Sequence, residues 1–389
     1  MMATVLAGPS AFSQAPPAGK FDDLVARAQK AAAENRLEEA TALYTRALAL
    51  RPKWEEGWWS LGTIAYDQDQ YRRAAVAFSK ALALNPRNGS AHAMLGLCQF
   101  ELHQDQLALG NLLAAEKFGI VKDQQLRHVT LYHLALLQLR LGKFGAARES
   151  LAQLVRDRVE TKEIPHGMGL AALLIRAKDA PADGTPGAQV VDQVGQAEVL
   201  LFSNQFDLAK QIYDRLAADF PDYPNLHFAY GRFLLETHET DAAVQEFQLE
   251  LKRDPKHVNS MLEIAMALQL VDPGKGLAFA EKASKLAPQL PLAHYLVGTL
   301  RLNSGDAEGA IPELEIAKRS FPEESGVHFA LGNAYSRVGR KTEASAARAE
   351  FSRLVAKAPK PSGAVIYADR PSRVLSGQNS ELEREQPPQ

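Results

Sequence analysis

The stretch "WWSLGTIAYDQDQYRRAAVAFSKALALNP", residues 58–86, places its apolar residues at helical spacing in two blocks: Trp58, Leu61, Ile64 and Ala65, then Ala74, Phe78, Ala81 and Leu82. The polar "DQDQ" between them marks a turn, so the stretch predicts a helical hairpin. Helices of about 13 residues are marginal alone in water, and two of them cannot cover both of their apolar faces. The hairpin therefore needs neighbours.

The same residue types recur at a fixed period. Ala40, Ala74 and Ala108 are spaced 34 and 34, and Ala209, Ala243, Gly276, Ala310 and Ala344 are spaced 34, 33, 34 and 34. Prolines keep the same beat: Pro52 and Pro86 lie 34 apart, and Pro221, Pro255, Pro288 and Pro322 are spaced 34, 33 and 34. A glycine joins them at Gly62, Gly96, Gly231, Gly298 and Gly332. Small residues let two helix axes approach, Leu61, Phe78 and their equivalents fill the space beside that contact, and the proline ends the second helix.

This pattern, W-x2-L-G-x2-Y, then A-x3-F, then P, on a 34-residue period resembles the tetratricopeptide repeat. Trp58, Leu61, Gly62, Ala74, Phe78, Ala81 and Pro86 carry it, and the same slots can be filled in about nine hairpins covering most of residues 21–356. The resemblance implies an all-α fold, a right-handed superhelical solenoid of helical hairpins in two arrays. Departures fall in the fourth hairpin, with Ala135 for the glycine; in the seventh, which loses a residue around "VDPGKG"; and at Pro312, expected to remove a hydrogen bond and bend its helix.

The beat places an N-terminal array at residues 21–157 and a C-terminal array at 190–356. Ala147 to Ala209 is 62 residues, 28 more than one period, so residues 158–189 form a joint with an incomplete repeat: one helix, "GMGLAALLIRAK", then a loop, "DAPADGTPGA". Residues 357–389, rich in Pro, Ser and charge, are expected to be a disordered tail. Residues 1–20, "MMATVLAGPSAFSQAPPAGK", have a short apolar run and a small-x-small site but no charged start, so they read as a truncated signal peptide or a disordered arm. The first reading implies a periplasmic or secreted protein, the second a cytoplasmic one.

Composition narrows the functional class. With 44 basic against 46 acidic residues, net charge -2, the chain lacks the cationic excess that phosphate backbones require, so no nucleic acid is expected as a main partner. No apolar run approaches the roughly 20 residues of a membrane span. The single cysteine, Cys98, excludes an intramolecular disulfide and reads as a buried small residue. No phosphate loop, zinc-protease or nucleophile-elbow motif occurs, and Asp179 to Gly184 lacks the alternating ligands of a calcium loop. His92, His227, His294 and His328 share the slot of Trp58; one repeat apart, about 10 Å, they are too far for two rings to share a metal, so a repeat-position preference is expected. No cofactor is implied.

What remains is surface. In proteins resembling this family the first helices line a concave face that holds a peptide or a partner's helix. The residue after the Trp or His slot faces it: Trp59, Tyr132, Val194, Phe228, Leu262, Tyr295 and Phe329, with Tyr66, Phe100, Leu201 and Phe202 further on and Thr63, Arg232, Thr299, Asn333 and Arg337 as polar members. The expected groove centres on Trp59, Tyr66, Phe100, Tyr132, Phe228, Arg232, Tyr295, Phe329 and Asn333 and suits an apolar or proline-containing segment. Any one of these rings could instead pack between adjacent first helices. The slots of a carboxylate clamp hold Val25, Gln29 and Trp59, which do not support one. The reading is a non-enzymatic interaction scaffold with a protein or peptide partner; RNA binding by a helical array, an accessory subunit of an enzyme complex, and self-association are the alternatives.

Overall fold

The computed structural model describes residues 18–120 and 123–357. The leader reading of residues 1–20 and the tail reading of 357–389 therefore lie largely outside the described residues; Ala18 to Lys20 open the first helix and Lys357 closes the last. Among the described residues the chain is helical, with no strand.

The chain divides into two compact units, Met1–His133 and Leu134–Gln389. The first holds three hairpins, α1 (Ala18–Ala33) with α2 (Leu37–Leu50), α3 (Glu55–Asp67) with α4 (Tyr71–Leu84), and α5 (Gly89–Glu101) with α6 (Asp105–Phe118). The division falls inside α7 (Gln124–Arg140). The second unit continues with α8 (Phe144–Arg156), a single short helix α9 (Glu163–Ala172), a 3-10 turn at Ala177–Asp179, and the hairpin α10 (Pro186–Phe202) with α11 (Phe206–Asp219). Three hairpins follow, α12 (Leu226–Glu236) with α13 (Thr240–Arg253), α14 (Val258–Ala267) with α15 (Pro273–Leu286), and α16 (Pro291–Asn303) with α17 (Ala307–Ser320). The last pair is α18 (Ser325–Arg337) with α19 (Lys341–Lys357).

All the described hairpins but α14–α15 are each locked by one contact. The small residue of the first helix faces the large residue 16 positions later: a Cβ on Gly62 would lie 2.7 Å from the Phe78 ring, on Gly96 2.6 Å from Leu112, on Gly231 2.5 Å from Phe247, and on Gly298 2.6 Å from Leu314. Alanine holds the slot at Ala28, Ala135 and Ala197, and the residues 16 further on, Tyr44, Leu151 and Tyr213, are buried. Each such side chain contributes roughly 1.5–3 kcal/mol by leaving water. In the last hairpin the stem of Arg348 takes this place, with Cγ 3.1 Å from a Cβ on Gly332, so a polar residue closes the array there.

The turns inside the hairpins follow a second rule. Asn35, Asp69, His103, Gly142, Asn204, His238, Gly305 and Gly339 all have positive φ, between 55° and 93°, just after the first helix. A left-handed residue there lets the following N–H reach back, as Gln70 does to the Ala65 carbonyl at 2.8 Å. The seventh hairpin lacks such a residue, which is the one its sequence loses; Asp272 caps α15 instead, accepting from the Lys275 N–H at 3.1 Å, and Leu270 and Val271 are left 70% and 78% exposed. α17 runs unbroken across Pro312.

The joint is a lone helix. α9 packs against α8 and α10 in the second unit, and α10 starts at Pro186, inside the segment expected to be loop, because Thr185 accepts from the Ala188 N–H at 3.2 Å and proline suits the first helical position. Here the glycines do not receive side chains. A Cβ on Gly169 would lie 1.9 Å from the Val191 carbonyl oxygen, and one on Gly195 1.7 Å from the Pro165 oxygen, so α9 and α10 touch backbone to backbone. Neither clash can be relieved by turning a side chain. Gly169→Ala and Gly195→Ala are each expected to destabilise the second unit by about 3 kcal/mol or more. Gly110→Ala, where a Cβ meets nothing within 4 Å, should stabilise α6 by about 1 kcal/mol. Denaturant midpoints of the three variants check both signs.

Candidate functional site

The Trp/His slot has a structural task. The ring N–H of Trp58 donates to the Pro52 carbonyl at 2.9 Å, and Nε2 of His92, His227, His294 and His328 meets the carbonyls of Pro86, Pro221, Pro288 and Pro322 at 3.1, 3.0, 2.8 and 2.8 Å. The slot therefore ties each first helix to the proline that closes the preceding hairpin. Nδ1 faces the residue 19 positions later, Asn111 at 2.8 Å, Glu246 at 2.6 Å and Glu313 at 2.6 Å, on the partner helix. These rings are spent on packing and hydrogen bonding. Among the described residues no group of three His, Cys, Asp or Glu is placed to hold a metal ion, and no helix is long and apolar enough to cross a membrane. Cys98 is buried, which pushes its thiol up to about 12.

The expected groove residues divide by unit. In the first, Trp59, Tyr66, Phe100 and Tyr132 are all half-buried on first helices. Trp59 meets the Phe78 ring edge-on at 5.4 Å, Tyr66 meets Tyr71 at 5.4 Å, and Phe100 and Tyr132 both meet His133, at 4.9 and 5.7 Å. Each ring is held along one edge and open along another.

In the second unit Phe228 is 3% exposed, packed between Phe247 at 5.9 Å and His257 at 5.1 Å, so it is a core side chain and not a lining residue. Val194 and Leu262, in the same slot, are fully buried. Arg232 lies with its guanidinium 6.0 Å from the Phe228 ring centre, so these two are brought together. Tyr295 is half-buried, and burial pushes its hydroxyl up to about 12. Phe329 is 53% exposed and stacks on Phe351 at 5.4 Å, and Asn333 is half-buried on the next turn.

A buried charge network lies beside the joint and had no signal in the repeat pattern. Arg148 on α8 donates to Glu198 on α10 at 2.5 Å and to Glu236 on α12 at 2.7 Å, while the Tyr213 hydroxyl donates to the other oxygen of Glu198 at 2.7 Å. Burial opposes the Arg148 charge, but the two carboxylates outweigh it and hold the guanidinium firmly protonated. The guanidinium also sits 4.7 Å from the Phe202 ring centre. The network ties four helices, α8, α10, α11 and α12.

With this geometry in view, comparison with known proteins gives one answer. Three family models described as tetratricopeptide repeat match, at residues 55–88, at 130–158, and at 194–258 and 295–360. The chain is a tetratricopeptide-repeat protein. Anaphase-promoting complex subunit 3 of Schizosaccharomyces pombe is 29% identical over 120 residues, 30% of this chain and 18% of that protein, so the match spans less than a fifth of the relative. Among solved structures, MamA is similar with 17% identity and TM-score 0.39 over 41% of this chain and 95% of that one. The Cut9–Hcn1 hetero-tetramer of the APC/C shows 15% identity and TM-score 0.35 over 89% of this chain and 80% of that one.

Two titrations of opposite sign are expected in the second unit. The hydrogen bond to Glu246 holds His227 above its ordinary value of 6.5, so its stabilisation is complete below pH 6.5 and is lost as pH rises through the raised value. Burial holds His257 below 6.5 as a neutral ring that accepts the Ser260 N–H at 3.2 Å; its stabilisation is present above pH 6.5 and is lost as pH falls through the depressed value. Histidine titrations by NMR should show His227 falling in Glu246→Gln while His257 stays low. Arg148→Met, which strands Glu198, should cost about 3–5 kcal/mol, and the added change Glu198→Leu should restore much of it in chemical denaturation.

Proposed function

We propose that the chain is a non-enzymatic scaffold holding an extended segment of a partner protein on the first-helix face of its first unit, formed by α3, α5 and the start of α7. The observation that carries this is the shared state of Trp59, Tyr66, Phe100 and Tyr132: all aromatic, all half-buried and already ordered on one edge by a neighbouring ring. Such rings lose little conformational entropy on binding and supply large apolar contact area. In the equivalent slots of the second unit Val194, Phe228 and Leu262 are buried, Tyr295 is half-buried and Phe329 is 53% exposed. A scaffold role also agrees with a relative named as a subunit of a multi-protein complex.

Affinity capture from native extract, wild type beside Trp59→Ala/Phe100→Ala/Tyr132→Ala, tests the reading. Recovery of a partner should fall by about tenfold or more in the variant, as expected when interface anchors are removed, with its helicity unchanged by circular dichroism. Undiminished recovery by the folded variant would refute the assignment.

A further inference from the structure

Charge is unevenly placed around the proposed face, where α3 and α5 are acidic and the start of α7 adds Arg127. The first helices α3 (EEGWWSLGTIAYD) and α5 (GSAHAMLGLCQFE) carry Glu55, Glu56, Asp67 and Glu101 and neither Lys nor Arg. The second helix α4 (YRRAAVAFSKALAL) is the reverse, with Arg72, Arg73 and Lys80 and no carboxylate. Glu55 is engaged by the side-chain amides of Asn85 and Asn88 at 3.2 and 2.7 Å. Glu56, Asp67 and Glu101 are exposed, and none of them has a Lys or Arg partner among the described residues.

Two of those carboxylates are chain neighbours of the rings. Asp67 follows Tyr66 directly and Glu101 follows Phe100 directly, at the C-terminal ends of α3 and α5, where the helix dipoles add partial negative charge. Burial is the main cause that raises the Tyr66 hydroxyl above its ordinary value, and Glu101, Asp67 and Asp69 lie near enough to add to it. The Tyr71 hydroxyl donates to Asp69 at 2.6 Å and completes the pair of tyrosine rings. An aromatic face bordered by unpaired carboxylates is complementary to a cation on an apolar stem, which gains from ring contact and from charge at once.

We infer that the segment held on this face is basic as well as apolar: a stretch of a partner protein with Lys or Arg side chains interspersed among hydrophobic residues. This rests on the α3 and α5 face being the docking surface proposed above. Its charge comes from the groove itself, so the preference is expected to weaken with salt, because exposed charges are screened over about 10 Å at 0.1 M ionic strength.

Selection from a displayed library of random linear peptides on the full chain tests both layers. Three proteins are compared: wild type, the charge variant Glu56→Gln/Asp67→Asn/Glu101→Gln, and the ring variant Trp59→Ala/Tyr66→Ala, each checked for wild-type helicity and thermal midpoint. The expected result is that wild type selects peptides rich in Lys and Arg beside apolar residues. Their affinity should fall about tenfold or more in the charge variant and again at high salt. Peptides selected by wild type that are neutral or acidic, yet lost in the ring variant, would overturn the basic preference while leaving the docking face standing. A selection that enriches nothing, or that the ring variant reproduces unchanged, would overturn the docking face and the inference with it. Concentration-dependent dimerisation abolished by the ring variant, seen in sedimentation equilibrium, would assign the face to a second copy and likewise overturn the inference.

Discussion

The array depends on one contact repeated along it: a glycine or alanine in the first helix of every described hairpin but α14–α15, against a large side chain 16 residues later. The absence of a side chain at the first position sets how closely the axes approach, and the presence of one at the second fills the space that remains. Once that spacing is set, the residual apolar face of each hairpin has only one place to go, the next hairpin. The Trp or His ring then fixes the hand-over by bonding the carbonyl of the proline that ended the previous pair. A period of 34 follows because all three devices must return together.

Where the rhythm breaks, a different solution replaces it. The lone helix α9 has no second helix to supply a large residue, so its Gly169 meets the backbone of α10 directly, and Gly195 meets the backbone of α9 in return. The neighbouring helices share an apolar core that includes Leu170 and Ala171 of α9 and Val191 of α10, and Arg148 reaching Glu198 and Glu236 adds a polar tie. A buried ion pair of this kind is a poor source of net stability but a strict one in geometry, since a shifted helix strands a charge in the core. The joint is thus specified by what it forbids.

Much of this was legible in the sequence, and the illegible part has physical causes. The small residues and prolines keep the period because their roles are steric and admit few substitutes, so about nine hairpins could be read directly. The left-handed turn residues were equally periodic but change identity, Asn35, Asp69, His103 and Gly305 among them, because several residue types tolerate positive φ. Asn111, Glu246 and Glu313 pair with slot histidines at a fixed offset of 19, a signal visible only when the two helices are considered together. Arg148 and Glu198 flank the joint, across which no period guides pairing. Phe228 was assigned to the groove by its slot alone; its burial depends on His257 in the following hairpin, which a slot does not encode.

The two units present different faces. The ring after the Trp/His slot is open in some hairpins and buried in others. In the second unit Val194, Phe228 and Leu262 are large in succession and all buried, and Phe329 is open because among the described residues no further hairpin follows it. In the first unit the succession is Trp59, Ala93, Tyr132, with the alanine buried between two rings that remain half-exposed. Trp59 and Tyr132 keep their inner edges packed on Phe78 and His133. The half-exposed rings of α3 and α5 thus share their helices with carboxylates that no Lys or Arg of α3 or α5 neutralises.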